Sequence, residues 1–96
     1  MKKKIKKTGP SVCVEIQLND GCLSMYIGEL VSRTKDAIVL RQASWISQTG
    51  RRNLFFAGTP DTNAEVEPYP DDVTIELPAK QSIFTSWPHA LPRAVR

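Results

Sequence analysis

Between positions 12 and 43, apolar and polar residues alternate in three runs separated by two turn signals. Val12, Val14, Ile16 and Leu18 alternate with Cys13, Glu15 and Gln17, the period-two pattern of a half-buried strand. Asp20-Gly21 follows, a pair that supports the positive φ angles of a two-residue hairpin turn. Such a turn sets Asn19 against Cys22. The register then pairs Leu18 with Leu23, Ile16 with Met25 and Val14 with Ile27, all apolar.

The second strand starts at Cys22 and passes through Gly28. Its inward set is Leu23, Met25 and Ile27 before the glycine, and Leu30 and Ser32 after it. A glycine at such a change of phase predicts a bulge or a sharp bend, the device by which small barrels turn their corners. Thr34-Lys35-Asp36 then reads as a three-residue loop. It pairs Glu29 with Arg41, Leu30 with Leu40 and Val31 with Val39, and puts Ser32 opposite Ile38. Both faces of this ribbon carry apolar residues. It should therefore lie in a barrel wall or against a partner subunit.

Beyond Ala43 the period weakens. Trp45-Ile46 continues the apolar theme. Thr49 is placed to cap a short helix over residues 51–57, with Gly58 as its stop and Pro60 beyond. A strand through Leu54-Phe55-Phe56 is the competing reading, and the Gly58 and Pro60 punctuation favours the helix. Residues 59–72 hold Pro60, Pro68, Pro70 and much of the acidic charge, and read as an exposed excursion. Val73, Ile75 and Leu77 form a half-buried strand ended by Pro78. Residues 82–87 form a last short strand, and Pro88 and Pro92 mark an extended tail.

The length of 96 residues bounds the chain to one domain, with 1–10 a basic flexible tail, 11–87 the folded body and 88–96 the C-terminal tail. Its 24% charged and 41% apolar residues are ordinary for a globular chain, and no apolar run approaches the ~20 residues of a membrane helix. No apolar segment of the signal-peptide kind follows the basic start, so no membrane partner and a cytoplasmic location are expected. The net charge of +3 is uneven. Lys2, Lys3, Lys4, Lys6 and Lys7 open the chain, while Glu65, Glu67, Asp71, Asp72 and Glu76 gather late. The lysine run reads as a solvated tail. Its functional alternative is an arm for phosphates or for the acidic segment of a neighbouring subunit.

The two cysteines, one opposite Gly28 and one beside the first turn, stand too far apart to bond and read as reduced thiols. With one histidine, His89, and no Cys-x-x-Cys, no metal or other cofactor is expected. His89 sits between Pro88 and Pro92, a poor place for a catalytic base, and no phosphate-binding glycine loop occurs, so no enzyme activity is expected. Glu65, Glu67, Asp71 and Asp72 could offer oxygens to a cation, but read more simply as a solvated loop. Binding chemistry has better candidates. Arg33, Arg41, Arg51 and Arg52 suit phosphates, the last two at the expected helix start, and Tyr26 and Trp45 suit stacking on a base. Phe55, Phe56 and Trp87 also stack well, although the two phenylalanines read first as core or subunit interface.

Asn19-Asp20-Gly21, Gly28-Glu29-Leu30 and Ile38-Val39-Leu40 resemble the first half of an Sm-type repeat. The resemblance implies a mostly-β fold, a small SH3-like or Sm-like barrel of about five strands, with one short helix or long loop inserted before the fourth. Lys35-Asp36-Ala37 stands where the Sm signature has an Asp-Met-Asn-like triplet, so a uridine pocket is not implied. The run from Gly28 to Arg33, then Ile38-Val39-Leu40, Ala43 and the late Trp87-Pro88, is similar to small uncharacterised proteins of tailed phages. That resemblance implies a non-enzymatic homo-oligomer acting in the host cytoplasm, a counter-defence protein that sequesters a phosphate-bearing nucleotide signal. The alternatives are an Sm-like RNA- or DNA-binding regulator and an inhibitor that docks on a host defence protein.

Overall fold

In the computed structural model, which describes residues 9–17, 23–77 and 82–93, the alternating runs become strands. The order is β1 (Ser11–Gln17), β2 (Leu23–Arg33), β3 (Ala37–Gln48), α1 (Arg52–Phe56), β4 (Glu65–Pro68), β5 (Val73–Glu76) and β6 (Ser82–Ser86). All six strands form one antiparallel sheet in the order β4-β3-β2-β1-β6, with β5 also on β3. Since β2 runs along one edge of β3 for most of its length, β4 and β5 share the other edge. β4 takes the Ser44–Gln48 half and β5 the Ala37–Leu40 half. The domain is mostly β, as expected, but among the described residues the sheet is not closed into a barrel.

Both faces of this sheet are buried in its centre. Adjacent residues of a strand point to opposite faces, yet Cys13 and Val14 are both almost fully buried. One face gathers Cys13, Met25, Ile27, Ile46 and Val66 under Phe55 and Trp87. The other gathers Val14, Ile16, Ile38, Leu40, Ala43 and Ile75, with Val12, Tyr26, Leu30, Tyr69 and Phe84 packed around them. On the Glu29–Arg41 ribbon, expected to be apolar on both faces, Ile38 and Leu40 are buried but Val31 is exposed. Burial on both faces falls instead at Cys13–Val14 and Met25–Ile27, where the helix and Trp87 supply the second cover.

The first hairpin differs from its expected register by one residue. Val14 pairs with Tyr26, Cys13 with Ile27 and Ile16 with Ser24. Ile16–Met25 and Val14–Ile27 are therefore not partners, and Cys13 does not face Gly28. The one-residue slip exchanges the faces of the two strands relative to each other. It is tolerated because both faces carry apolar cover, so the all-apolar pairing on one face was not the only buried solution. The Asp20-Gly21 turn and Cys22 lie outside the described residues.

In the second hairpin, Glu29–Arg41 and Leu30–Leu40 pair as expected, but Ser32 then meets Val39 and Arg33 meets Ile38, with Val31 left as an extra residue. Thr34 shortens the turn. Its N–H donates to the Ala37 carbonyl at 2.9 Å, and its hydroxyl accepts the N–H groups of Asp36 and Ala37. At Gly28 the phase change is real, but the extra residue is on the facing strand. Gln42 and Ala43 oppose Gly28 alone, and Gln42 takes φ +52°.

The helix forms over Arg52–Phe56, within the expected span. Its C-terminus is a Schellman turn. Gly58 at φ +87° lets its N–H reach the Phe55 carbonyl at 3.1 Å, and the Thr59 N–H reaches that of Leu54 at 3.0 Å. Thr49 does not cap it: that hydroxyl donates to the Gly50 carbonyl instead. The segment 59–72 is not wholly an exposed excursion, because Val66 is buried within β4. Residues 88–93, within the segment read as an extended C-terminal tail, bond to the body. The Ser44 hydroxyl, fully buried, donates to the Pro92 carbonyl at 2.5 Å. Arg93 donates to the carbonyls of Ala43 at 2.7 Å and Tyr69 at 3.1 Å.

Candidate functional site

Where the sheet stays open, between the β1–β2 hairpin and β5, a cleft of about 300 Å³ enters the second cluster. Ile16 from β1, Ser24 and Tyr26 from β2, Tyr69, and Val73, Thr74, Ile75 and Glu76 from β5 line it. The pairing explains the assembly. Ile16 faces Ser24, and Tyr26 follows two residues on, so all three share the face that β5 covers through Ile75. Tyr69 joins because its N–H donates to the Ala43 carbonyl at 2.9 Å, extending the β3–β4 ladder past Pro68. Cross-strand pairing also puts Trp45 beside Tyr26, on the same face and more exposed.

The cleft lining combines the apolar Ile16, Val73 and Ile75 with the phenols of Tyr26 and Tyr69. The Ser24 hydroxyl donates to the Tyr26 oxygen at 3.1 Å. Tyr26 thus keeps its own proton for another acceptor. Burial pushes the Tyr69 phenol up from its ordinary value, and the neighbouring Tyr26 and Glu67 add to the rise. Tyr69 is a neutral hydroxyl at physiological pH. The lining holds Glu76 as its one charged group. Such a lining offers aromatic and aliphatic surface together with hydroxyl donors and acceptors.

Of the six residues expected to bind a ligand, the fold brings Tyr26 and Trp45 together and separates the arginines. Arg33 lays its guanidinium over the Phe84 ring, 3.8 Å from the centroid. Arg41 lies 3.9 Å from Asp72 and faces Glu29 across the strands. Arg52 pairs with Glu15 at 2.7 Å and stands 4.8 Å from the centroid of Phe56. Arg51 lines a shallow polar depression with Gln48, Gly50, Asp61, Asn63 and Glu65. At this short helix the Asp61 carboxylate already accepts the Arg51 N–H at 3.1 Å, where an anion would otherwise sit.

Tyr69 and Arg93 lay outside the sequence reading as site residues, and His89 was read only as part of a tail. Tyr69 was hidden by its flanking prolines, although Glu65-Val66-Glu67 just before it alternates like a strand. Arg93, taken as part of a tail, bonds to two main-chain carbonyls. His89 donates from Nε2 to the Phe56 carbonyl, 2.9 Å away, and its ring meets Trp87 edge-on at 5.1 Å between centroids. Among the described residues, no group of three or more His, Cys, Asp or Glu is placed to hold a metal ion, and no helix is long and apolar enough to cross a membrane.

Comparison with family models, with curated proteins and with solved structures finds no match to this chain.

Proposed function

We propose that this chain is a non-catalytic binding protein that works as a homo-oligomer and holds the flat ring of a heteroaromatic ligand in the cleft beneath Tyr26 and Tyr69. The convergence of these two phenols over Ile16, Val73 and Ile75 carries the reading. Stacking of a base on an aromatic side chain contributes roughly 1–3 kcal/mol, and Trp45 beside Tyr26 extends the platform.

In its narrow form the protein is a small barrel-like counter-defence factor of a phage, which removes a phosphate-bearing nucleotide from the host cytoplasm. The base enters the cleft and the phosphates stay outside, because Glu76 would repel them within it. Among the described residues Arg33, Arg41 and Arg52 each face a ring or a carboxylate of their own chain, so Arg51, although its depression also holds Asp61 and Glu65, is the arginine we assign to phosphate. A pocket shared between subunits brings that cation and the cleft to one ligand.

A native mass spectrum of protein purified straight from expressing cells reads subunit number and retained ligand together. We expect an oligomer carrying a small-molecule adduct, and loss of the adduct in Tyr69→Ala. A bare monomer that gives no binding heat with purine mono- and cyclic dinucleotides would overturn the reading. Tight binding of a single-stranded oligonucleotide that falls steeply with salt would move it to the nucleic-acid regulator.

A further inference from the structure

Three strands end the sheet or share an edge of it, and their outer edges differ in chemistry. β4 carries Glu65, Glu67 and Pro68, and β5 carries Glu76 just after Asp71 and Asp72. Charge and proline are what keep a bare strand edge from pairing with another chain. β6 has neither. Its sequence is Ser-Ile-Phe-Thr-Ser, it closes the strand order beyond β1, and Ile83 is 59% exposed on it.

The backbone of β6 also faces the right way. Trp87 donates its N–H to the Ser11 carbonyl at 2.9 Å. Hydrogen-bonded residues alternate along an antiparallel ladder, so Ile83 and Thr85 turn their main-chain groups toward β1, and Phe84 and Ser86 turn theirs outward. The strand is nearly palindromic about Phe84. A two-fold axis there sets Phe84 against Phe84 of a second copy, with both N–H···O bonds exchanged between them. It sets Ile83 against Thr85 of the second copy on the exposed face. The next register, centred on Ser86, brings Pro88 against Phe84 and lacks the donor. Arg33 over the Phe84 ring holds the centre of the strand in place before any partner arrives.

From this self-complementarity we infer that β6 is the interface of a symmetric dimer, in which a second copy of this chain extends the sheet edge to edge. A two-fold contact needs a surface that matches itself, and an uncharged palindromic strand does so, whereas β4 and β5 would set like charges together. The inference rests on the oligomeric part of the proposed function, and is independent of the ligand.

Sedimentation of the full chain at micromolar concentration tests it, with Ser86→Pro and Ile83→Lys. The first removes an outward N–H without touching the β1 ladder, and the second puts a charge on the exposed face. We expect a dimer for the parent chain and at least about a tenfold rise in dimer Kd for each variant. Should Ser86→Pro fail to fold, Ile83→Lys decides alone, since its side chain faces solvent. A dimer unchanged in the folded variants would overturn the β6 interface and leave oligomerisation standing. A monomeric parent chain would remove both. Ligand retention in a monomeric variant would show that the cleft works without the dimer.

Discussion

Gly28 lies so close to Ala43 that a Cβ built on it would come 2.9 Å from the Ala43 Cα and 3.0 Å from its methyl group. The contact exists because Gln42 and Ala43 bulge toward the single residue opposite them, which turns β3 from its β5 half to its β4 half. Gly28→Ala should therefore push the two strands apart. A loss of about 1–3 kcal/mol is expected, as for other overpacked sites, read from the urea midpoint. An unchanged midpoint would mean that the bulge yields freely.

Arg51 and Arg52 are adjacent in sequence and separate in role. Arg52 holds Glu15, whose side chain is only 12% exposed, and covers Phe56. Because Arg52 is itself more than half exposed, solvent screens the pair. Arg52→Ala should cost about 1 kcal/mol in stability, and Arg51→Ala should leave the melting temperature unchanged. If the phosphate-bearing ligand is correct, Arg51→Ala should instead weaken its binding about tenfold. Titration and melting on the same two variants separate the effects. Equal affinity for Arg51→Ala and the parent would remove Arg51 from the site.

The Cys13 thiol is pushed up from 9.0 to about 12, first by burial and then by the nearby Glu15 carboxylate, with Arg52 opposing. The folded chain keeps the proton that the unfolded chain releases above pH 9. This contribution is fully present below pH 9 and is lost between pH 9 and about 12, at no more than about 1.4 kcal/mol per pH unit. Cys13→Ala should lack that share of the decline, although it is less stable at neutral pH. Parallel alkaline melting curves for the two proteins would exclude the effect.

The C-terminal segment should behave as part of the body. Arg93→Ala removes donors from two carbonyls, and Ser44→Ala removes a fully buried hydroxyl from the Pro92 carbonyl. Each should cost about 1–2 kcal/mol. Ending the chain after Trp87 should uncover that ring and Phe56, and so raise the binding of an apolar dye. A truncated chain with the parent's melting temperature would show that the segment contributes nothing.

Alternation from Val12 to Leu40, the Gly58 stop after Phe56 and the late Val73-Thr74-Ile75-Glu76 run were enough to read a mostly-β domain with one short helix. These signals are local. A strand or a helix end is written in neighbouring residues, whatever the rest of the chain does. Register was not local. When Cys13 and Val14 are both buried, a hairpin and its one-residue slip bury similar apolar surface, and the choice falls to the bulges at Gln42 and Val31 and to the cover from α1 and Trp87. The candidate site divides the same way. Tyr26 was legible as an aromatic residue on a strand, and Trp45 as an aromatic residue suited to stacking. That Tyr69 would join Tyr26 while four arginines dispersed depends on where β4 and β5 fall along one edge of β3, a contact between residues far apart in the chain.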